Sequence, residues 1–117
     1  MGIHILAEFH KCTKNIETLK RKSLIEKFAL RLIKRGKLKV LHKHFHRFKD
    51  AGITGFILLA ESHISVHTWP ERDNSAILDI YVCNYKRNNS KKARRIFNEF
   101  RSFFKPIKVI KNSIKLY

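Results

Sequence analysis

The sequence predicts an α+β fold, a two-layer sandwich in which one antiparallel β-sheet carries two helices packed on one face. Two segments repeat apolar residues at helical spacing, and six others alternate or run apolar in the manner of strands. Four of those strands follow one another with no helix between them, which favours antiparallel pairing. At 117 residues with 44% hydrophobic content, the chain suits a single domain with a real core, spanning 1–117.

Residues 2–9 set Ile3, Ile5, Ala7 and Phe9 against His4, Leu6 and Glu8, the period of a strand. Over 23–35, Leu24, Ile25, Phe28, Ala29, Leu32 and Ile33 form a helical stripe, with Lys and Arg on the other side. Gly36 is expected to stop this helix in the left-handed conformation. Residues 39–48 alternate again as a strand and lead to a turn around Asp50, Ala51 and Gly52. The apolar run 54–60 suits a buried strand, and 63–69 and 76–82 continue as strands around a turn at 70–74. A second helix is expected over 90–104, where Ala93, Ile96, Phe97, Phe100 and Phe104 share a stripe, with Pro106 ending it. Residues 105–116 close the chain as a last strand. Both helices are amphipathic, so the far sheet face needs another cover, and a second copy is the simplest one.

Charge is the unusual property of the composition. The chain has 26 Lys and Arg against 9 Asp and Glu, a net +17, which raises the prospect of an anionic partner such as nucleic acid. No RNP pattern, zinc-finger spacing or helix-turn-helix signature supports that prospect, so nucleic acid is an unlikely partner and a solvated basic surface is the plainer reading. Cys12 and Cys83 lie far apart and read as reduced thiols. No apolar stretch reaches the roughly 20 residues that cross a bilayer, and no signal peptide is evident, so a cytoplasmic protein without a membrane partner is expected.

The chemistry concentrates in Glu61-Ser62-His63 and His67-Thr68-Trp69-Pro70-Glu71, followed by Asp79-Ile80 and Cys83. By alternation Ser62 shares a face with Ile64 and Val66, and His67 needs a bend to join it. Spacing alone favours an ordinary polar pair, and nothing matches the serine elbow of hydrolases. These blocks, together with Gly2-Ile3-His4-Ile5-Leu6-Ala7-Glu8-Phe9 and Phe45-His46-Arg47-Phe48, resemble the prokaryotic, short-type S-adenosylmethionine decarboxylase proenzymes. The matching blocks span residues 2–83 and are specific in combination.

The resemblance implies a self-cleaving precursor cut between Glu61 and Ser62 into 1–61 and 62–117. The Ser62 hydroxyl attacks the Glu61 carbonyl, and the resulting ester is eliminated to leave a pyruvoyl group at the new N-terminus. His67 matches the family's processing base, and Thr54 falls where relatives more often carry a serine that assists processing. The pyruvoyl carbonyl forms a Schiff base with the substrate amine, doing the work of pyridoxal phosphate, so neither that cofactor nor a metal is expected. Cys83 matches the proton donor, a role that suits a thiol, which is mostly protonated near neutrality when unperturbed. Phe48 and Trp69 correspond to positions beside the adenosyl group, and Glu71 could accept hydrogen bonds from ribose. The implied activity makes decarboxylated S-adenosylmethionine, the aminopropyl donor for spermidine, in a homodimer or higher assembly.

Other readings start from other residues. Arg72-Asp73-Asn74-Ser75 replaces a more aromatic turn common in the family, which leaves arginine or ornithine as substrates of the same machinery. His42, His44 and His46 alternate on a strand, with His63 and His67 nearby, at a spacing that could hold a transition metal. No paired cysteines or carboxylates complete such a set, and a half-exposed polar strand face is the plainer explanation. Glu8 is a further candidate for the pocket, and Cys12 receives no assigned role.

Overall fold

The computed structural model describes residues 1–85 and 87–117. The main elements follow the expected order: β1 (Gly2–His10), α1 (Lys22–Arg35), β2 (Val40–Arg47), β3 (Ile53–Leu59), β4 (Ser62–Trp69), β5 (Ser75–Cys83), α2 (Ser90–Phe104) and β6 (Lys108–Leu116). Two short 3-10 turns, Thr13–Asn15 and Glu17–Lys20, lie between β1 and α1 and have too few residues to show a period in sequence. The six strands form one sheet in the order β2-β3-β4-β5-β1-β6, every neighbouring pair antiparallel.

The end of α1 departs from expectation. Gly36 stays right-handed, with φ −77°, and Lys37 takes the left-handed conformation, with φ 59°. Gly36 N–H still donates to the Leu32 carbonyl, and the Leu38 N–H returns to Ile33. Leu38 is buried, so the chain must reverse immediately before it, one residue beyond the glycine. α2 keeps its expected limits and closes on left-handed Lys105, just before Pro106.

The core lies between the helices and one sheet face. Ile3, Ile5, Ala7 and Phe9 of β1 and Leu78, Ile80 and Val82 of β5 meet the apolar stripes of both helices. Thr68 is buried among them and is fully satisfied, donating to the Leu19 carbonyl at 2.6 Å and accepting from Ile53 N–H at 2.9 Å. The strand entry beside it is tight: a Cβ on Gly52 would stand 1.9 Å from the Thr68 carbonyl oxygen. Gly52→Ala is therefore expected to cost about 1–3 kcal/mol, read as a lower urea midpoint.

The other sheet face has no cover from either helix. Strand register puts all seven histidines there: His4 and His10 on β1, His42, His44 and His46 on β2, His63 and His67 on β4. Apolar residues share this face, including Leu6 (43% exposed), Phe56 (42%), Leu58 (40%) and Ile114 (53%). The exposed cations of the helices, such as Arg31, Lys34, Arg35, Arg94 and Arg95, cover the opposite side of the molecule. Much of the basic charge is thus separated from the histidine-bearing face by the whole thickness of the sandwich.

Candidate active site

Ala60 and Glu61 form a two-residue connection between β3 and β4, with Leu59 opposite Ser62. Neither turn residue has positive φ; Ser62 does, at 127°. A side chain bearing residue in that region stores strain on the order of 1–3 kcal/mol. The carbonyl just before it, that of Glu61, accepts a 2.8 Å hydrogen bond from Cys83 N–H at the end of β5. A donor aimed at this oxygen would favour negative charge developing there, the arrangement that stabilises acyl-transfer intermediates.

The Glu61 side chain is also fixed. Arg87 grips both carboxylate oxygens, at 3.2 and 3.0 Å, and the Asn89 amide donates to one of them and to the Cys83 carbonyl. The Arg87 hydrogen bond holds the Glu61 carboxyl below its usual range despite partial burial, and Asn89 acts in the same direction. Glu61, Cys83, Tyr85, Arg87 and Lys39 line a cleft of about 500 Å³. Cys83 is half-buried at its wall, whereas Cys12 is buried in the core, where desolvation pushes its thiol up to about 11 and leaves it inert.

Ser62 departs from the face that alternation predicts for it. Ile64 and Val66 point into the core, but the Ser62 hydroxyl reaches His63 Nδ1, 3.4 Å away. His63 Nε2 stands 3.8 Å from Asp79 Oδ1, which in turn holds His4 Nε2 at 2.7 Å. Sequence reasoning left His63, Asp79, Arg87 and Asn89 without roles in the site. Alternation on β4 and β5 carried a signal for the first two, since Ser65 pairs with Asp79 and His63 with Tyr81 on the same face.

His67 is elsewhere. It lies five residues along the same strand from Ser62, about 16 Å at the usual rise per residue, so one copy does not bring them together. Thr54 Oγ1 and His67 Nδ1 share a 3.0 Å hydrogen bond, and the Trp69 ring stacks on His67 at 5.6 Å. Phe48, Thr54, Trp69 and Glu71 line one cleft of about 330 Å³, and Phe48, 48% exposed, is available for contact there instead of serving the core. Glu8 and His10 line an adjoining cleft with Trp69 and Glu71.

Burial lowers the pKa of His67, only partly opposed by Asp79, which keeps the ring neutral and able to accept a proton. Unfolding frees this histidine to take up a proton near its ordinary value of about 6.5, so the stability it supports is present above that pH and lost as pH falls through the lower folded value. Urea midpoints measured across this range should fall more for the wild type than for His67→Gln.

The residues expected to form the site thus fall into two groups at opposite ends of β3 and β4, Glu61-Ser62-Cys83 and Thr54-His67-Trp69. Among the described residues, no group of three or more His, Cys, Asp or Glu is arranged to hold a metal, the three histidines of β2 included. The family model for S-adenosylmethionine decarboxylase matches residues 3–115. The chain belongs to that family. Two S-adenosylmethionine decarboxylase proenzymes illustrate the relation: the one from Thermococcus kodakarensis is 35% identical over 98% of this chain and 78% of its own length. The one from Pyrococcus horikoshii is 33% identical over 98% and 81%. The crystal structure of the adenosylmethionine decarboxylase from Aquifex aeolicus superimposes with a TM-score of 0.85 at 31% identity, covering 97% of this chain and 88% of that one. Within the S-adenosylmethionine decarboxylase family, this chain keeps the expected sheet and both helices.

Proposed function

We propose that this chain is a self-processing, pyruvoyl-dependent decarboxylase that converts S-adenosylmethionine to its decarboxylated form, the aminopropyl donor for spermidine. The observation that carries the proposal is the Glu61-Ser62 junction: a strained serine follows a carbonyl already bonded by the Cys83 amide, in a chain of this family. The Ser62 hydroxyl adds to the Glu61 carbonyl carbon, and the Cys83 N–H stabilises the oxyanion. The C–N bond then breaks, giving an ester and a free Ser62 amine. Loss of the Ser62 α-proton expels Glu61 as a carboxylate, and water replaces the nitrogen, which leaves as ammonia. The 62–117 chain then starts with a pyruvoyl group, which supplies an electron sink for the carboxylate that departs. Its surroundings suit it: Ser62 is half-buried, and Cys83, the residue after its strand partner Val82, returns a proton to the substrate carbon.

The separation of the two half-sites supports a site completed by a second copy. A two-fold axis parallel to the sheet plane, lying just above the uncovered face, perpendicular to the strands and passing over Ser65 of β4, lays the Thr54-His67 end of one sheet over the Ser62-Cys83 end of the other. The exposed Leu6, Phe56, Leu58 and Ile114 are then covered. The partner supplies His67 to take the Ser62 α-proton, Thr54 to orient it, and Phe48, Trp69 and Glu71 to hold the adenosyl group. Two aromatic faces suit adenine and a sulfonium, and the Glu71 carboxylate suits vicinal hydroxyls, which keeps arginine and ornithine behind S-adenosylmethionine.

Carbon dioxide release from carboxyl-labelled S-adenosylmethionine, ornithine and arginine tests the assignment. Release from the first, abolished by a carbonyl reagent such as phenylhydrazine, is expected. Turnover of ornithine or arginine alone would overturn the choice of substrate.

A further inference from the structure

Resting on the self-cleavage proposed above, we propose that His63 is the base that starts it, taking the Ser62 hydroxyl proton within the same copy while Asp79 and His4 keep its ring in the competent tautomer. The cut requires two protons to be removed from different atoms, first a hydroxyl and then an α-carbon. His67 is well placed for the second only when another copy brings it over. For the first, the Ser62 hydroxyl has a partner in its own chain: His63 Nδ1, at 3.4 Å.

Neighbouring residues on a strand normally point to opposite faces, so a serine and the next histidine do not meet. The φ of 127° at Ser62 breaks that alternation and turns the hydroxyl toward the ring. The contact is long for a hydrogen bond, as catalytic contacts often are before the reacting complex tightens them. Nδ1 can accept a proton only if the neutral ring carries its hydrogen on Nε2. Asp79 Oδ1, 3.8 Å from Nε2 and therefore a charged neighbour and not a hydrogen-bond acceptor, favours that form through its negative charge, and the 2.7 Å contact with His4 holds the carboxylate in place. Phe56 stacks on the His63 ring at 5.7 Å and Tyr81 lies against it at 6.0 Å, which limits its rotation.

The step balances without a further reagent. The Ser62 Oγ–H proton passes to His63 Nδ1 as Oγ bonds to the Glu61 carbonyl carbon. When the C–N bond breaks, the same proton goes to the departing Ser62 nitrogen, and the imidazole returns to its neutral state. His63 is thus a catalytic residue of the acyl shift, and Asp79 and His4 are positioning residues.

Neutral hydroxylamine, which splits esters and spares amides, separates the two steps in freshly purified protein followed by intact mass. His67→Ala is expected to accumulate the ester, so hydroxylamine splits it after Glu61. His63→Ala is expected to form that sensitive bond about 10²–10⁴-fold more slowly, remaining one chain that hydroxylamine does not split, with added imidazole restoring the cut. Asp79→Asn in the His67→Ala background should slow the appearance of the sensitive bond. His63→Ala that cuts at the wild-type rate, that yields the ester as fast as His67→Ala, or that stays inert with imidazole would overturn the proposal. A wild-type chain that never cuts would instead overturn the self-cleavage on which it rests.

Discussion

Ser62→Ala is expected to leave a single 117-residue chain of 13.9 kDa that releases no carbon dioxide from S-adenosylmethionine, whereas the wild type should resolve into 1–61 and 62–117. The change removes one oxygen atom, yet that atom is both the nucleophile of the cut and the source of the carbonyl on which decarboxylation depends. Enzymatic decarboxylation of this kind rests on accelerations of about 10⁶-fold or more, so its loss takes turnover below detection. Folding should survive, because Ala fits the same half-buried position and, among the described residues, the Ser62 side chain makes no hydrogen bond into the core. Intact mass and Edman degradation read the outcome together: the wild-type 62–117 fragment should be blocked, since its first residue no longer has an amine. A wild-type chain that stays whole under native conditions would remove the basis of the catalytic assignment.

Co-expression of Ser62→Ala with His67→Ala should restore a cut that neither shows alone. In a mixed pair, one site combines Ser62 and Cys83 from the His67→Ala chain with Thr54 and His67 from its partner, and that site is complete. The other site lacks both groups. Only the His67→Ala chain should therefore be split, and with random pairing of equal amounts about half of it can find the right partner. A site formed within one copy makes the opposite forecast, that the mixture stays inert. The roughly 16 Å between Ser62 and His67 along β4 is the reason to expect complementation.

The sandwich could be read from the sequence because both helices and most of the strands have a strong period. α2 is the clearest case, five aromatic or aliphatic residues on one stripe against five cations, and its limits match the structure. The failures are local and have identifiable causes. A glycine at the end of a helical stripe predicts the left-handed residue at Gly36, but burial of Leu38 sets the reversal at Lys37. Alternation placed Ser62 with Ile64, and a backbone angle that no residue pattern encodes turned it away. The grip of Arg87 and Asn89 on Glu61 joins residues 26 and 28 positions apart through a loop without periodicity, so no spacing rule could find it. Ser62 and His67 were assigned to one site by resemblance, and it is the straight course of β4 that divides them between two half-sites.

The sheet order also bears on what a cut after Glu61 would leave behind. The first product owns β1, β2 and β3 and the second β4, β5 and β6, yet β1 is inserted between β5 and β6. Three ladders, β3 with β4, β5 with β1 and β1 with β6, would therefore run between products instead of within them. The pieces would be interleaved, and neither could diffuse away without tearing the shared sheet apart, so breaking a covalent bond here would change the chain count without loosening the molecule.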